Sequence, residues 1–86
     1  MFYVYAIENS IDKSWYIGFS EDIDRRVLEH NQKIGGEYTS KKSGRWKLIY
    51  YEAYLSKRDA LGREKFLKSG SGRKFLNKQM TNYLSD

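Results

Sequence analysis

Two short runs dense in aromatic and β-branched residues, FYVYAIE (2–8) and WYIGF (15–19), are separated only by the turn-like NSIDKS (9–14). Runs of this kind form strands, and so short a polar break commits them to a hairpin. Successive strand residues point to opposite faces. Phe2, Val4 and Ala6 therefore share one face, and Tyr3, Tyr5 and Ile7 the other. In the second run Trp15, Ile17 and Phe19 alternate with Tyr16 and Gly18. A tight hairpin puts Tyr5 opposite or diagonal to Tyr16, with Gly18 leaving open space beside them. A glycine inside a strand weakens it and suggests that something approaches the backbone closely.

The remaining chain has to cover this hairpin. Ser20 is the expected N-cap of a first helix, with Glu21 and Asp22 in its first turn; that helix runs to about Ile34 and stops at Gly35-Gly36. EYTSKKSG (37–44) reads as a polar, basic loop and WKLIYYEAY (46–54) as a third strand. Ser56 with Asp59 gives a capping-box start to a second helix ending near Gly70, and a third helix spans Gly72 to about Leu84. The order β-β-α-β-α-α, with a crossover helix between the second and third strands, predicts an α+β fold: a small three-stranded, mixed sheet flanked by helices. No internal repeat or linker interrupts the 86 residues, so a single domain over 1–86 is expected.

Composition narrows the function classes. Apolar residues make up 40% and aromatics 16%, which marks a globular chain rather than a disordered one. Without cysteine there is no disulfide framework and no thiolate metal site. No apolar run reaches transmembrane length and the N-terminus lacks signal-peptide character, so a soluble, cytoplasmic protein without a membrane partner is expected. The formal charge of +5 raises the odds of a polyanionic partner.

Helical periodicity exposes three residues in unexpected places. In the first helix Ile23, Val27 and Ile34 define an apolar stripe; His30 falls within it and Arg26 at its edge, whereas Arg25 and Glu29 lie on the opposite face. In the second helix Ala60, Leu61 and Leu67 mark the buried side, and Glu64 lies among them. A carboxylate there needs a cation: an arginine, a lysine or a metal. The bland alternatives are a hydrogen-bonded core histidine, a snorkelling Arg26 and a structural Arg26–Glu64 ion pair. Together the residues suggest one site of two phenols, a guanidinium, an imidazole and a carboxylate. A single carboxylate is thin support for calcium but suits magnesium, which keeps most of its waters.

Tyr16-Ile17-Gly18, Tyr3-Val4-Tyr5, Ile23-Asp24-Arg25-Arg26 with His30, and Arg63-Glu64-Lys65 with Leu67-Lys68 together resemble the motifs of the GIY-YIG nuclease domain. The likeness covers nearly the whole chain and is greatest to small stand-alone members related to the N-terminal nuclease domain of the excision-repair endonuclease. Tyr3 departs from the glycine of the first triplet, and Ser20 replaces a common threonine. The resemblance implies a metal-dependent endonuclease acting on DNA, with catalytic residues Tyr5, Tyr16, Arg26, His30 and Glu64. Glu64 would hold one Mg2+ or Mn2+, and Arg26 would stabilise transition-state charge. Tyr5 would orient or deprotonate water, or His30 would do so with support from Tyr5. Asn77 is placed at the position of a late family asparagine.

Lys41, Lys42, Arg45, Arg73 and Lys74, with Lys47, Lys57, Arg58 and Lys78, are candidate contacts to the phosphate backbone. For any one of them an ordinary solvated surface is an equal alternative. The two tryptophans are expected in the core. The competing function is a non-catalytic nucleic-acid-binding module on the same fold, and a third reading is a small interaction protein built around an Arg26–Glu64 bridge.

Overall fold

The computed structural model describes the chain from Met1 to Asp86. Its elements are β1 (Phe2–Asn9), β2 (Trp15–Ser20), α1 (Ile23–Asn31), α2 (Glu37–Ser40), β3 (Trp46–Tyr54), α3 (Lys57–Leu67), α4 (Gly70–Gln79) and α5 (Thr81–Ser85). The α+β order expected from sequence is present, with α2 and α5 added. The expected third helix is broken at Met80 into α4 and α5.

The sheet is antiparallel throughout rather than mixed, with strand order β2-β1-β3. The α1 crossover does leave β2 and β3 running in the same direction, but β1 lies between them and pairs with both. The hairpin turn is built by Asn9, whose Oδ1 accepts from the backbone N–H of Ile11 (2.9 Å) and Asp12 (3.2 Å). Its Nδ2 donates to the Ser43 carbonyl, tying the turn to the segment before β3.

Period-2 alternation in β1 feeds two cores. Val4 and Ala6 pack with Ile17, Ala60, Leu67 and Leu76 beneath α3 and α4, while Tyr5 and Ile7 pack with Trp46 on the face covered by α1. The register shifts between Ala6, which faces Tyr50, and Ile7, which faces Leu48, so Ile49 is an extra residue at a bulge. Tyr50, Glu52 and Tyr54 consequently share the α3 side. There Glu52 receives two hydrogen bonds from Arg63 (2.8 and 3.0 Å) and one from each tyrosine hydroxyl. Arg63 is also held against Phe66 and Phe75.

Asp22, not Ser20, caps α1, accepting from Arg25 N–H at 3.1 Å. The Ser20 hydroxyl is spent one step earlier, on the Asp22 backbone. The helix also ends earlier than its apolar pattern implies. Lys33 adopts a left-handed φ of 66°, the chain turns away, and Ile34 is left 69% exposed. At that end Asn31 clamps the first residue of β3: Asn31 Nδ2 donates to the Trp46 carbonyl, and Trp46 N–H donates to Asn31 Oδ1. The clamp fixes the last turn of α1, which carries His30. Ser56 caps α3 through Asp59 N–H as expected, but Leu61 proves exposed.

Candidate active site

Tyr5 is the centre of the arrangement. It lies on the middle strand, 1% exposed, directly opposite Gly18 and two pairs along from Tyr16, which faces Ile7. A Cβ at position 18 would clash with the Tyr5 hydroxyl and ring. The space that Gly18 leaves is therefore filled from within, by the Tyr5 phenol, and is not open to a substrate. That corrects the expectation of open space and meets that of a close approach: Gly18 lets the phenol lie flat across β2.

The Tyr5 hydroxyl is 2.7 Å from His30 Nε2, and His30 Nδ1 is 2.7 Å from the Thr39 hydroxyl. His30 and Thr39 are both fully buried. The glycine pair after α1 makes this possible. A Cβ on Gly35 would strike the His30 backbone and Nδ1 at 2.7 Å, and the turn returns α2 onto the helix it has just left. The chain of three groups can hold its protons in either of two directions. The Arg26 guanidinium, which can only donate, acts on the Tyr5 oxygen, and the Thr39 hydroxyl has the Gly36 carbonyl 3.5 Å away. We assign the direction consistent with both: Tyr5 O–H donates to Nε2, and Nδ1–H donates to Thr39.

Burial pushes the Tyr5 phenol up to about 12, against the opposing pull of Arg26; Tyr16 and Glu64 add smaller upward pushes. Burial, then the Arg26 charge, pushes His30 down to about 4. Both groups are neutral at pH 7, and the phenolate would be about one part in 10⁵. Neither is a resident strong base. The pair is a hydrogen-bonded proton path rather than an ionised catalyst.

Tyr16 meets the His30 ring edge-on, centroids 5.2 Å apart, and stacks on Tyr38 of α2 at 5.9 Å. Arg26 pairs with Glu29 at 3.1 Å and Glu64 with Lys68 at 3.1 Å. The Arg26–Glu64 bridge is thus not formed. Each residue has a neighbour on its own helix at i+3 or i+4, where side chains meet most readily. Glu29 accordingly turns toward Arg26 instead of facing away. Of the residues expected from sequence, His30 bonds to the Tyr5 phenol, Tyr16 packs on His30, and the charges of Arg26 and Glu64 act on the phenol.

The other expected residues are more scattered. Asn77 is exposed on α4, and its side chain makes no hydrogen bond. Lys41 is engaged by Glu37 and Lys42 by Asp12. Arg45 and Lys74 are exposed, and Arg73 lies 4.0 Å over the Trp15 ring. Of the tryptophans, Trp46 is buried and Trp15 only half-buried. Sequence reasoning missed Thr39, Tyr38 and the position of Lys68. Only the Gly35-Gly36 turn hinted that the EYTS segment folds back.

No three His, Cys, Asp or Glu side chains gather anywhere to hold a metal. Glu64 is the single carboxylate of the site, its side chain 19% exposed and one of its oxygens bonded to Lys68. This donor set fits a divalent ion that keeps most of its waters, such as Mg2+ or Mn2+, and does not fit a multi-ligand calcium or zinc centre.

The hairpin contributes two phenols to this cluster, and the helices that follow it contribute Arg26, His30 and Glu64. The GIY-YIG catalytic domain family model matches residues 1–79, and the chain belongs to that family. It is 40% identical over 67 residues to the UPF0213 protein HQ_3675A of Haloquadratum walsbyi, covering 78% of this chain and 73% of that protein. It is 36% identical over 74 residues to the UPF0213 protein SSP2268 of Staphylococcus saprophyticus, covering 86% and 88%. The solution NMR structure of the UPF0213 protein BH0048 from Bacillus halodurans superposes with a TM-score of 0.55 at 34% identity, covering 92% of this chain and 85% of that one.

Proposed function

We propose that this domain is a divalent-metal-dependent endonuclease that hydrolyses phosphodiester bonds in DNA. The observation that carries the reading is the buried Tyr5–His30 hydrogen bond, with Tyr16 edge-on to the imidazole and the charge of Arg26 acting on both groups. Core packing alone has no use for a buried phenol and imidazole bonded to one another beside a guanidinium.

In this reading Glu64 holds one Mg2+ or Mn2+, which when bound would polarise the scissile phosphate and ease departure of the leaving oxygen. Tyr5 Oη accepts a hydrogen bond from the attacking water while its own proton is shared with His30 Nε2. Arg26 donates to the phosphoryl oxygen that gains charge in the transition state. The arriving phosphate opposes the effect of Arg26 on His30 and raises the proton affinity of the imidazole as the water loses its proton. Tyr16 holds the imidazole edge-on. Lys68, now paired with Glu64, is free to turn to a phosphate once the carboxylate has another cation.

The test is incubation of purified protein with plasmid and with nicked, flapped and branched duplexes in Mg2+ or Mn2+, beside Glu64→Ala and Arg26→Ala. Cleavage lost in both variants, with folding retained, is the expected result. Cleavage that survives both would be a contaminant's. Tight, salt-sensitive binding without any cleavage would assign the chain to the non-catalytic binders.

A further inference from the structure

Beside the catalytic cluster runs a cleft of about 520 Å³, walled by Trp15, Tyr16, Tyr38, Lys68, Arg73 and Leu76. It follows the outer side of β2, the strand that ends the sheet, between α2 and the α3–α4 junction. Two of its residues belong to the cluster already described: Tyr16 touches His30, and Lys68 pairs with Glu64. Whatever occupies the cleft therefore adjoins the bond that would be cut.

We propose that this cleft receives a single unstacked nucleobase, from the nucleotide next to the cleaved phosphate; the placement beside the cut bond rests on the nuclease reading above. Three observations choose this occupant. The walls are aromatic: Tyr16 and Tyr38 stack nearly parallel, with 19° between their rings, and Tyr38 is 49% exposed, with Lys42 5.1 Å from its ring centroid. Bases stack on such faces without regard to sequence. The charged groups on the walls are Lys68 and Arg73 only, with no carboxylate, so a polyanion is favoured there. The second cleft, by contrast, is lined by Glu21, Asp22 and Asp24 and would repel a phosphate. Finally, the Arg73 guanidinium sits 4.0 Å over the Trp15 ring, and its N–H groups are left for phosphate oxygens.

A base can enter only if it has left the duplex, which is easiest where it is already unpaired. The substrate class is therefore DNA with an unpaired nucleotide at the cut: a flap, a bulge or a single-strand junction. A peptide strand added to the free edge of β2 is the rival occupant.

The experiment uses the full chain carrying Glu64→Ala, without added metal, so that binding is read apart from cleavage. Anisotropy of a labelled short single strand is compared with strands in which one base at a time is replaced by an abasic site. One abasic position should weaken binding about tenfold, and that difference should vanish when Tyr38→Ala is added. Tyr38 is half exposed, so this variant should keep its fold, checked by circular dichroism. Equal affinity for every abasic strand, or a difference that persists in Tyr38→Ala, overturns the proposal. Displacement of the strand by an arbitrary β-forming peptide, with no dependence on bases, assigns the cleft to the rival. The wild type is assayed for cleavage in parallel. A flat abasic scan with active cleavage removes the subsite alone, whereas a positive scan with no cleavage removes the nuclease reading alone.

Discussion

The closest packing in the site predicts its most sensitive position. In Gly18→Ala the new methyl would clash with the Tyr5 hydroxyl and the ring carbon that bears it. The phenol has little room to yield: it is 1% exposed, and its oxygen is tied to His30 Nε2 at 2.7 Å. Overpacking of a filled core costs about 1–3 kcal/mol. Displacing the phenol also breaks a buried hydrogen bond, which adds about 1 kcal/mol. A total of about 2–4 kcal/mol is a large share of the stability of a small domain and corresponds to a fall in Tm of roughly 10–25 °C. Urea unfolding followed by circular dichroism measures it. A double-mutant cycle with Tyr5→Phe sharpens the test. In wild type that change leaves His30 Nε2 without its partner and should cost about 1–2 kcal/mol. In Gly18→Ala it also removes the atom nearest the new methyl, so its cost should shrink or reverse. An unchanged unfolding midpoint in Gly18→Ala, or strictly additive effects in the cycle, would refute the argument.

Three further outcomes follow from the geometry. His30 is neutral in the folded state down to about pH 4 but protonates near 6.5 when unfolded, so its contribution is complete above 6.5 and is lost as pH falls toward 4, by about 3 kcal/mol in all. Urea midpoints across that range should decline, and His30→Gln should flatten the decline; an equally steep slope in the variant would reject the assignment. Thr39→Val should shift the His30 tautomer away from Nδ1–H, visible in imidazole 15N shifts, and slow any cleavage about tenfold. A wild-type ring already protonated at Nε2 would show that the proton chain runs the other way. Glu52→Gln should cost about 2 kcal/mol, because Arg63 would lose a two-point contact in a half-buried place, while single-strand binding stays unchanged; loss of binding would mean that the network supports the site.

How much of this was legible in the chain depended on the range of the signal. The alternation in FYVYAIE and WYIGF placed Tyr5 and Tyr16 on one face because a strand has only two faces to choose between. His30 and Glu64 could be picked out because a polar residue in an apolar stripe breaks a short-range pattern. Gly18 was recognised as a point of close approach, but the group that fills its space could not be named, since it comes from the neighbouring strand. Ile34 was counted into the α1 stripe because nothing in the residue types announces the left-handed turn at Lys33. The mixed-sheet expectation failed on strand order, which local patterns do not encode. Thr39 and Tyr38 were invisible for the same reason: their roles appear only when α2 folds back against α1 and β2. The partners of Arg26 and Glu64 could have been foreseen, because Glu29 and Lys68 stand at helical spacing.

The central position of β1 has a consequence for how the molecule loosens. From Val4 to Asn9 every residue of this strand is buried, and both of its edges are occupied. Its amides should therefore exchange with solvent only when the whole chain opens, whereas α2, a single turn after two glycines, should exchange through small local excursions. The phenol at the heart of the site is anchored in a strand held on both sides, and Tyr38 rides on a single helical turn. An incoming strand would meet a fixed anvil on one side and, on the other, a thumb that can lift to admit it.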